Sequence, residues 1–295
     1  METSLPRLRG VALSARTFRH IAFASAVWLL VIVATGATVR LTRSGLGCEH
    51  WPGCTAGDFF PKKSFYSYVE FSNRIVAGIA VFLTLALFLA SLRTAVPRWV
   101  RRVACLTFVL TLAQAPLGAI TVKYHLNPWL VLTHFLLSMV VLALGVLIAL
   151  EAWGVRGEHV PPAMKRLVAL VAVACIVLVV TGTFATAAGP HSGSIAVPRI
   201  GSFKPAVWLH VRATAVFGIS FALLVLWLAW SRYRRLLAAA GIVLGVLAVQ
   251  MVVGEIQYRT KLPWWLVLIH VTLAATLWAV TAAFAAIFWR PSRMS

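Results

Sequence analysis

Eight apolar stretches, each long enough to cross a bilayer, constrain this chain more than anything else in it. They cover about 20–41, 68–92, 103–122, 128–150, 166–187, 206–230, 236–256 and 263–289. A bilayer's hydrocarbon core takes about 20 helical residues. In lipid, every backbone N–H and C=O must be satisfied within a helix or a closed barrel. Stretches this long and this uniformly apolar predict eight transmembrane helices, an all-α polytopic membrane protein. Of the 295 residues, 61% are hydrophobic and 12% charged, against about 25% charged in soluble domains. A formal net charge of +20 would suggest nucleic acid in a soluble protein. Here the basic residues fall between the apolar stretches, so the expected partner is membrane lipid and no nucleic acid.

Basic residues also set the expected orientation. One side carries 16: Arg7, Arg9, Arg16 and Arg19, then Arg93, Arg98, Arg101 and Arg102, then Arg156, Lys165 and Arg166, then Arg232, Arg234 and Arg235, and finally Arg290 and Arg293. The other side carries eight: Arg43, Lys62, Lys63, Lys123, Arg199, Lys204, Arg259 and Lys261. The richer side is cytoplasmic, which puts both termini there. Residues 1–19 are polar and basic, and the stretch after them is long enough to be retained as a helix.

Within this frame the chain repeats itself. Residues 114–134 align without a gap on 250–270, with nine identities in 21 positions. The identities include Gln114 with Gln250, Gly118 with Gly254, Trp129 with Trp265 and His134 with His270. Apolar helices share Leu and Val by chance; they do not usually share Gln, Gly, Trp and His in register. A fixed-offset repeat predicts two structural halves. Four helices separate the copies, so the halves run the same way and a pseudo-two-fold along the membrane normal relates them. The expected organisation is a tail at 1–19, a four-helix half at 20–152, a linker at 153–165, a second four-helix half at 166–289 and a tail at 290–295.

Ionisable groups inside lipid are expensive and mark function. His134 and His270 lie six and seven residues past Pro128 and Pro263, and His210 lies five past Pro205. All three are therefore expected within roughly 10 Å of the outer face, at 1.5 Å per residue. A shift of 137 positions puts Asn73 over His210. Two imidazoles on facing helices of a bundle suit haem iron, held from both faces. His210 and His270 form such a pair, with Trp208, Trp264 and Trp265 as candidate walls. Arg212, Arg40, Arg74 and Arg43 are candidate partners for the acid groups of the ring. The competing reading is that each histidine only bonds across helices. A bare zinc site lacks a third ligand. In the first half, Glu70 is the only acid inside an apolar stretch, and Arg74 follows four residues on. It is either half of an i,i+4 ion pair or a proton-handling carboxylate beside a haem held by one imidazole. Cys48 and Cys54 lie in an outer loop, in an oxidising compartment where a disulfide is expected, as a staple or a redox pair.

These residues resemble the haem A synthase family over essentially the whole chain. The loop Arg40-Leu41-Thr42-Arg43-Ser44-Gly45-Leu46-Gly47-Cys48-x-x-Trp51-Pro52-x-Cys54 looks like that family's first outer loop. Glu70-x-x-Asn73-Arg74 is similar to its Glu-x-x-His-Arg motif, and Pro128-Trp129-Leu130-Val131-x-x-His134 and Thr186-x-x-Gly189-Pro190-His191 fall where it has further signatures. Two positions depart from the pattern: Asn73 stands in place of a histidine, and Arg43 in place of a more usual glycine.

The resemblance implies an eight-helix enzyme of the plasma membrane that oxidises the C8 methyl of haem O to a formyl group. It implies haem B as bound cofactor between His210 and His270. Haem O, the substrate, would sit at His134 with Asn73 and Arg74, and Glu70 would be the essential acid. The cysteine pair would sit above it. Haem O synthase, cytochrome oxidase assembly factors and an electron donor are the implied partners. Two readings without methyl oxidation compete: a b-type cytochrome and a haem carrier or chaperone. A cytochrome that spans the bilayer electrically needs ligands at two depths, whereas these lie at one. A transporter is expected to break its helices near the midplane, and no stretch is broken there.

Overall fold

Each apolar stretch forms one helix, and most helices run past it into polar sequence. The structure is a computed structural model that describes residues 13–62, 64–191, 193–194, 197 and 199–290. Arg7, Arg9, Lys63 and Arg293, with most of the two expected tails, lie outside the described residues. The helices are α1 (Ala15–Leu41), α2 (Phe65–Arg93), α3 (Arg98–Lys123), α4 (Pro128–Ala152), α5 (Pro162–Ala188), α6 (Phe203–Trp230), α7 (Arg234–Arg259) and α8 (Trp264–Ile287). All eight are long and apolar enough to cross a membrane. Among the described residues the only β pairing is an isolated bridge between Thr55 and Asp58.

Local chemistry explains where the helices begin. Ser14 Oγ accepts the Thr17 N–H at 3.1 Å and caps α1. Asn127 Oδ1 accepts the Trp129 N–H at 3.0 Å, and Pro128 opens α4 with a φ already suited to the first turn. Inside the helices, threonine hydroxyls turn back on the carbonyl four residues earlier, as at Thr107, Thr111 and Thr276. That satisfies a hydroxyl where no water reaches it.

The helices form two rings of four. In the first, α1 packs on α2, α2 on α3, α3 on α4 and α4 on α1; in the second, α5 packs on α6, α6 on α7, α7 on α8 and α8 on α5. So α2 lies diagonally across from α4, and α6 across from α8. The rings meet where α1 and α4 pack on α8 and α4 packs on α5. Trp278 Nε1 donates to Met139 O at 2.8 Å across this seam, which Leu29, Val33, Leu142 and Ala275 fill.

Packing is tightest at the end carrying the chain termini. There Phe18 and Ala22 of α1 meet Leu87 and Ala90 of α2, Val100 and Ala104 of α3 and Ile148 of α4. Val168, Leu228, Leu236 and Phe284 do the same in the second ring. In lipid such contacts stabilise by close packing, not by transfer out of water. The outer faces are apolar too: Phe82 is 73% and Trp230 88% exposed. A surface of that kind belongs in lipid, and the chain is an integral membrane protein. The opposite end, with the connections 42–64 and 189–202, is the loop end, and the intramembrane polar residues gather there.

The sequence repeat is a repeat of conformation. His125 and Leu126 have φ of 51° and 57°, and Lys261 and Leu262, their counterparts 136 residues on, have 62° and 60°. Leu126 N–H donates to Thr121 O at 2.8 Å, and Leu262 N–H to Gln257 O at 2.7 Å. The same left-handed turn therefore delivers α4 and α8 to their rings.

Candidate functional site

In the second ring, α6 carries His210 and α8 carries His270. Their rings face across the diagonal with centroids 6.4 Å apart and planes at 80°. Two metal–imidazole bonds of about 2 Å each place ring centroids roughly 6 Å apart. The space is made by glycine. A Cβ on Gly182 of α5 would fall 2.8 Å from His210 Cε1, and one on Gly254 of α7 would fall 3.0 Å from His270 Cε1. Thr181 Oγ1 lies 3.4 Å from His210 Nδ1. Gln250 Nε2 donates to His270 O at 3.1 Å and lies 3.2 Å from His270 Nε2. His270 Nδ1 and Gln250 Oε1 are buried with no partner. Two facing imidazoles, orphaned polar atoms and glycines that admit the rings fit haem, whose porphyrin supplies the remaining iron ligands. Among the described residues no three His, Cys, Asp or Glu side chains gather as a bare metal site would need.

The first ring repeats half of this. His134 of α4 lies against Gly118 of α3, where a Cβ would stand 3.7 Å from Cε1. His134 Nδ1 is buried without a partner. Gln114 Nε2 donates to His134 O at 3.2 Å and to Ser138 Oγ at 2.8 Å. Asn73 of α2 is tied to α1: its Oδ1 accepts from Thr35 Oγ1 at 2.8 Å. It lines a groove of about 340 Å³ with Thr35, Thr38, Tyr68, Ser72 and Val76. Among the described residues no hydrogen bond joins Asn73 to His134.

Glu70 and Arg74 form the ion pair that the i,i+4 spacing allows, at 2.6 Å. The other carboxylate oxygen accepts the Cys48 N–H at 2.8 Å. Arg74 Nη1 then donates to the carbonyls of His50, Pro52 and Gly53 at 2.7, 3.2 and 2.5 Å. Cys48 and Cys54 are joined by a disulfide. Both are buried, at 1% and 0% exposure, and pack on Phe71. The pair Glu70–Arg74 thus clamps the disulfide loop onto the start of α2. Gly47 lets the loop lie that close, since a Cβ there would sit 2.5 Å from the Tyr66 backbone. Arg74, expected beside the substrate ring, takes part in this clamp.

Other expectations fall out differently. Arg212 and Arg43 are exposed, and Arg43 occupies the left-handed region at φ 59°. Trp208, Trp264 and Trp265, candidate pocket walls, are 64, 48 and 51% exposed. His191 is half-buried, and its Nε2 lies 2.9 Å from Leu262 O. The adjoining Pro190 and Leu262 line a cavity of about 290 Å³ together with Arg199, Tyr258 and Lys261. Sequence reading missed Thr35, Gly36, Thr181 and Gly182. The signal was present: Thr-Gly recurs 146 positions apart, in α1 and α5, and each threonine touches the residue at the 73/210 position.

Fold and site together define a polytopic helical membrane protein of two like four-helix units, with half-buried imidazoles in both. A model of the COX15-CtaA family, described as cytochrome oxidase assembly protein, matches residues 19–64 and 58–282. The chain belongs to that family. It is 34% identical over 125 residues to a protein of Bacillus pumilus named "Heme A synthase", covering 41% of this chain and 40% of that one. A protein of the same name from Bacillus cereus is 30% identical over 176 residues, 57% of this chain and 56% of its own length. One from Macrococcus caseolyticus is 31% identical over 110 residues, 37% of each. The matched stretches span between about two fifths and somewhat more than half of these relatives' lengths.

Proposed function

We propose that this chain is a haem A synthase, a membrane oxidoreductase that converts the C8 methyl of haem O to a formyl group. Two successive two-electron hydroxylations of that methyl, each taking its oxygen atom and its oxidising equivalents from a co-substrate, give a gem-diol, which loses water. Family membership and the relatives' names support this reading. The observation that carries it is the pairing of His210 with His270 at a separation suited to one iron between them. Haem B bound there would supply one-electron redox chemistry. Gly182 and Gly254 admit the imidazoles, and Thr181 and Gln250 fix how the rings stand. In the other half His134 offers the imidazole for haem O, and Asn73, tied to Thr35, leaves the opposite face without a protein ligand. Glu70 is the proposed acid. A proton taken up or released at its Oε1 must displace the Arg74 bond, so the acid and the disulfide loop act as one unit.

The halves are placed at 20–152 and 166–289, with a linker at 153–165 and a pseudo-two-fold along the membrane normal. The matched ring connectivity and the matched αL turns support this. The excess of basic residues at the terminal end supports cytoplasmic termini, with both pockets near the outer face of a plasma membrane. Haem O, haem O synthase, oxidase assembly factors and an electron donor are the proposed partners.

The test is to express the chain with a source of haem O, extract the haems and separate them by chromatography. Formylated or hydroxylated haem is expected, and His210→Ala and His270→Ala should each remove the bound haem B. If haem is bound and no oxidised product appears, the chain is a carrier or a b-type cytochrome. Asn73, in place of an iron ligand, is the feature that favours that second reading.

A further inference from the structure

Arg40 lies in the last turn of α1, in the first ring, and reaches into the second. Its Nη2 donates to Thr186 O at 2.6 Å, near the loop end of α5. Its Nε is buried and has no partner. The ion pairs among the described residues join Lys62 to Asp58, Arg74 to Glu70, Arg156 and Arg290 to Glu151, and Arg259 to Glu255. None reaches Arg40. Arg40 is half-buried, and a guanidinium N–H held from water with no acceptor and no anion is unfavourable. The exposed Arg199 and Lys261 at the neighbouring cavity are solvated and have no such need.

The position says which ligand supplies the anion. Thr186 is one turn on from Gly182, whose missing Cβ makes room for His210. Arg40 therefore sits about 6 Å nearer the loop end than the imidazole pair, at 1.5 Å per residue. Arg40 and Thr186 are also counterparts in the Thr-Gly repeat, 146 positions apart. Counterparts of two like halves touch only near the line where the halves meet. Only one half provides the cation.

We propose that Arg40 anchors a carboxylate substituent of the planar tetrapyrrole held by His210 and His270, so that each half holds part of one ligand. The proposal rests on the haem reading above. The Nε–H and the Nη protons left by Thr186 would donate to the carboxylate, a charge-assisted contact that guanidinium geometry suits.

The experiment titrates the purified full chain, stripped of haem, with iron protoporphyrin IX and separately with its dimethyl ester, followed by absorbance. The wild type should bind the free acid at least tenfold more tightly than the ester. Arg40→Met should lose at least tenfold toward the free acid and little toward the ester, Arg40→Lys should lie between, and the midpoint potential should fall in Arg40→Met. Haem-free Arg40→Met should melt no lower than haem-free wild type, because it no longer buries an unpaired charge. Equal binding of acid and ester by the wild type overturns the proposal without any variant. So does an Arg40→Met that loses both ligands alike and melts lower, the mark of a mere tie between α1 and α5. If the wild type, His210→Ala and His270→Ala all bind alike or not at all, the haem reading itself fails. If only the histidine variants lose binding, the haem reading stands and Arg40 is not the anchor.

Discussion

Thr35 donates a 2.8 Å hydrogen bond to Asn73 Oδ1. The same relationship recurs in the other half, where Thr181 lies 3.4 Å from His210 Nδ1. The architecture around position 73 is thus that of a histidine position occupied by asparagine. A Cβ on Gly36, counterpart of Gly182, would meet nothing within 4 Å, so the first ring has room for a larger side chain. Asn73→His should therefore be accommodated with less than about 1 kcal/mol lost, the range for a substitution that creates neither clash nor cavity. With haem in the first ring, the variant should convert a singly ligated, high-spin species to a low-spin one. Optical and electron paramagnetic resonance spectra check this; an unchanged spin state means that position 73 does not face the iron.

Gly36 and Gly182 should respond oppositely to a methyl group. Gly36→Ala adds a Cβ in open space and removes backbone freedom, so it should stabilise by up to about 1 kcal/mol. Gly182→Ala puts the Cβ 2.8 Å from His210 Cε1, and the imidazole has to turn or retreat. Haem retention in the second ring should drop at least tenfold while the haem-free protein stays folded. Thermal melting of the haem-free protein and haem content after washing separate the two effects.

The same contrast explains what was legible in the sequence. The eight helices were, because lipid leaves the backbone one local solution and apolar length reports it directly. The structure extends them by up to five residues, as at α1 and α3, because hydrogen bonding continues past the hydrocarbon edge. His134, His210 and His270 were legible because a titratable side chain in an apolar stretch has few other reasons to be there. Thr35, Gly36, Thr181 and Gly182 were not: threonine and glycine are ordinary in membrane helices, and their role depends on which helix lies alongside. The loop contacts of Arg74 were hidden for a related reason. Its spacing from Glu70 announced an ion pair, but nothing local announced the three loop carbonyls that share its guanidinium.

Glu70 is asked to serve both chemistry and architecture, and its variants should separate these roles. Glu70→Ala removes the acceptor of the Cys48 N–H and leaves Arg74 nearly buried without its anion. Breaking one side of such a pair costs roughly 3 kcal/mol or more. Pairing it with Arg74→Met should recover part of that loss, a coupling that a double-mutant cycle reads directly. Haem A formation should stay abolished in Glu70→Ala and in the double variant, while haem bound in the second ring is retained. Recovery of activity along with stability would make Glu70 a clamp and nothing more.

The buried disulfide should depend on that clamp. Cys48 and Cys54 are nearly inaccessible, and a reductant must reach a sulfur to exchange with it. In the wild type, a hydrophilic thiol reductant should leave the bond intact under native conditions, and a maleimide added afterwards should label neither cysteine unless the protein was unfolded in the presence of the reductant. Glu70→Ala removes the Cys48 tie and the carboxylate that orients Arg74, loosening the loop on α2, and should raise the rate of reduction at least tenfold, read as maleimide incorporation by mass spectrometry. Cys105 is half-buried and Cys175 buried, so both should be replaced by alanine in the background used for counting. Rapid reduction in the wild type would mean that the loop opens spontaneously. That outcome would favour a redox-active pair over a staple, because exchange then needs no disruption of the Glu70–Arg74 contact.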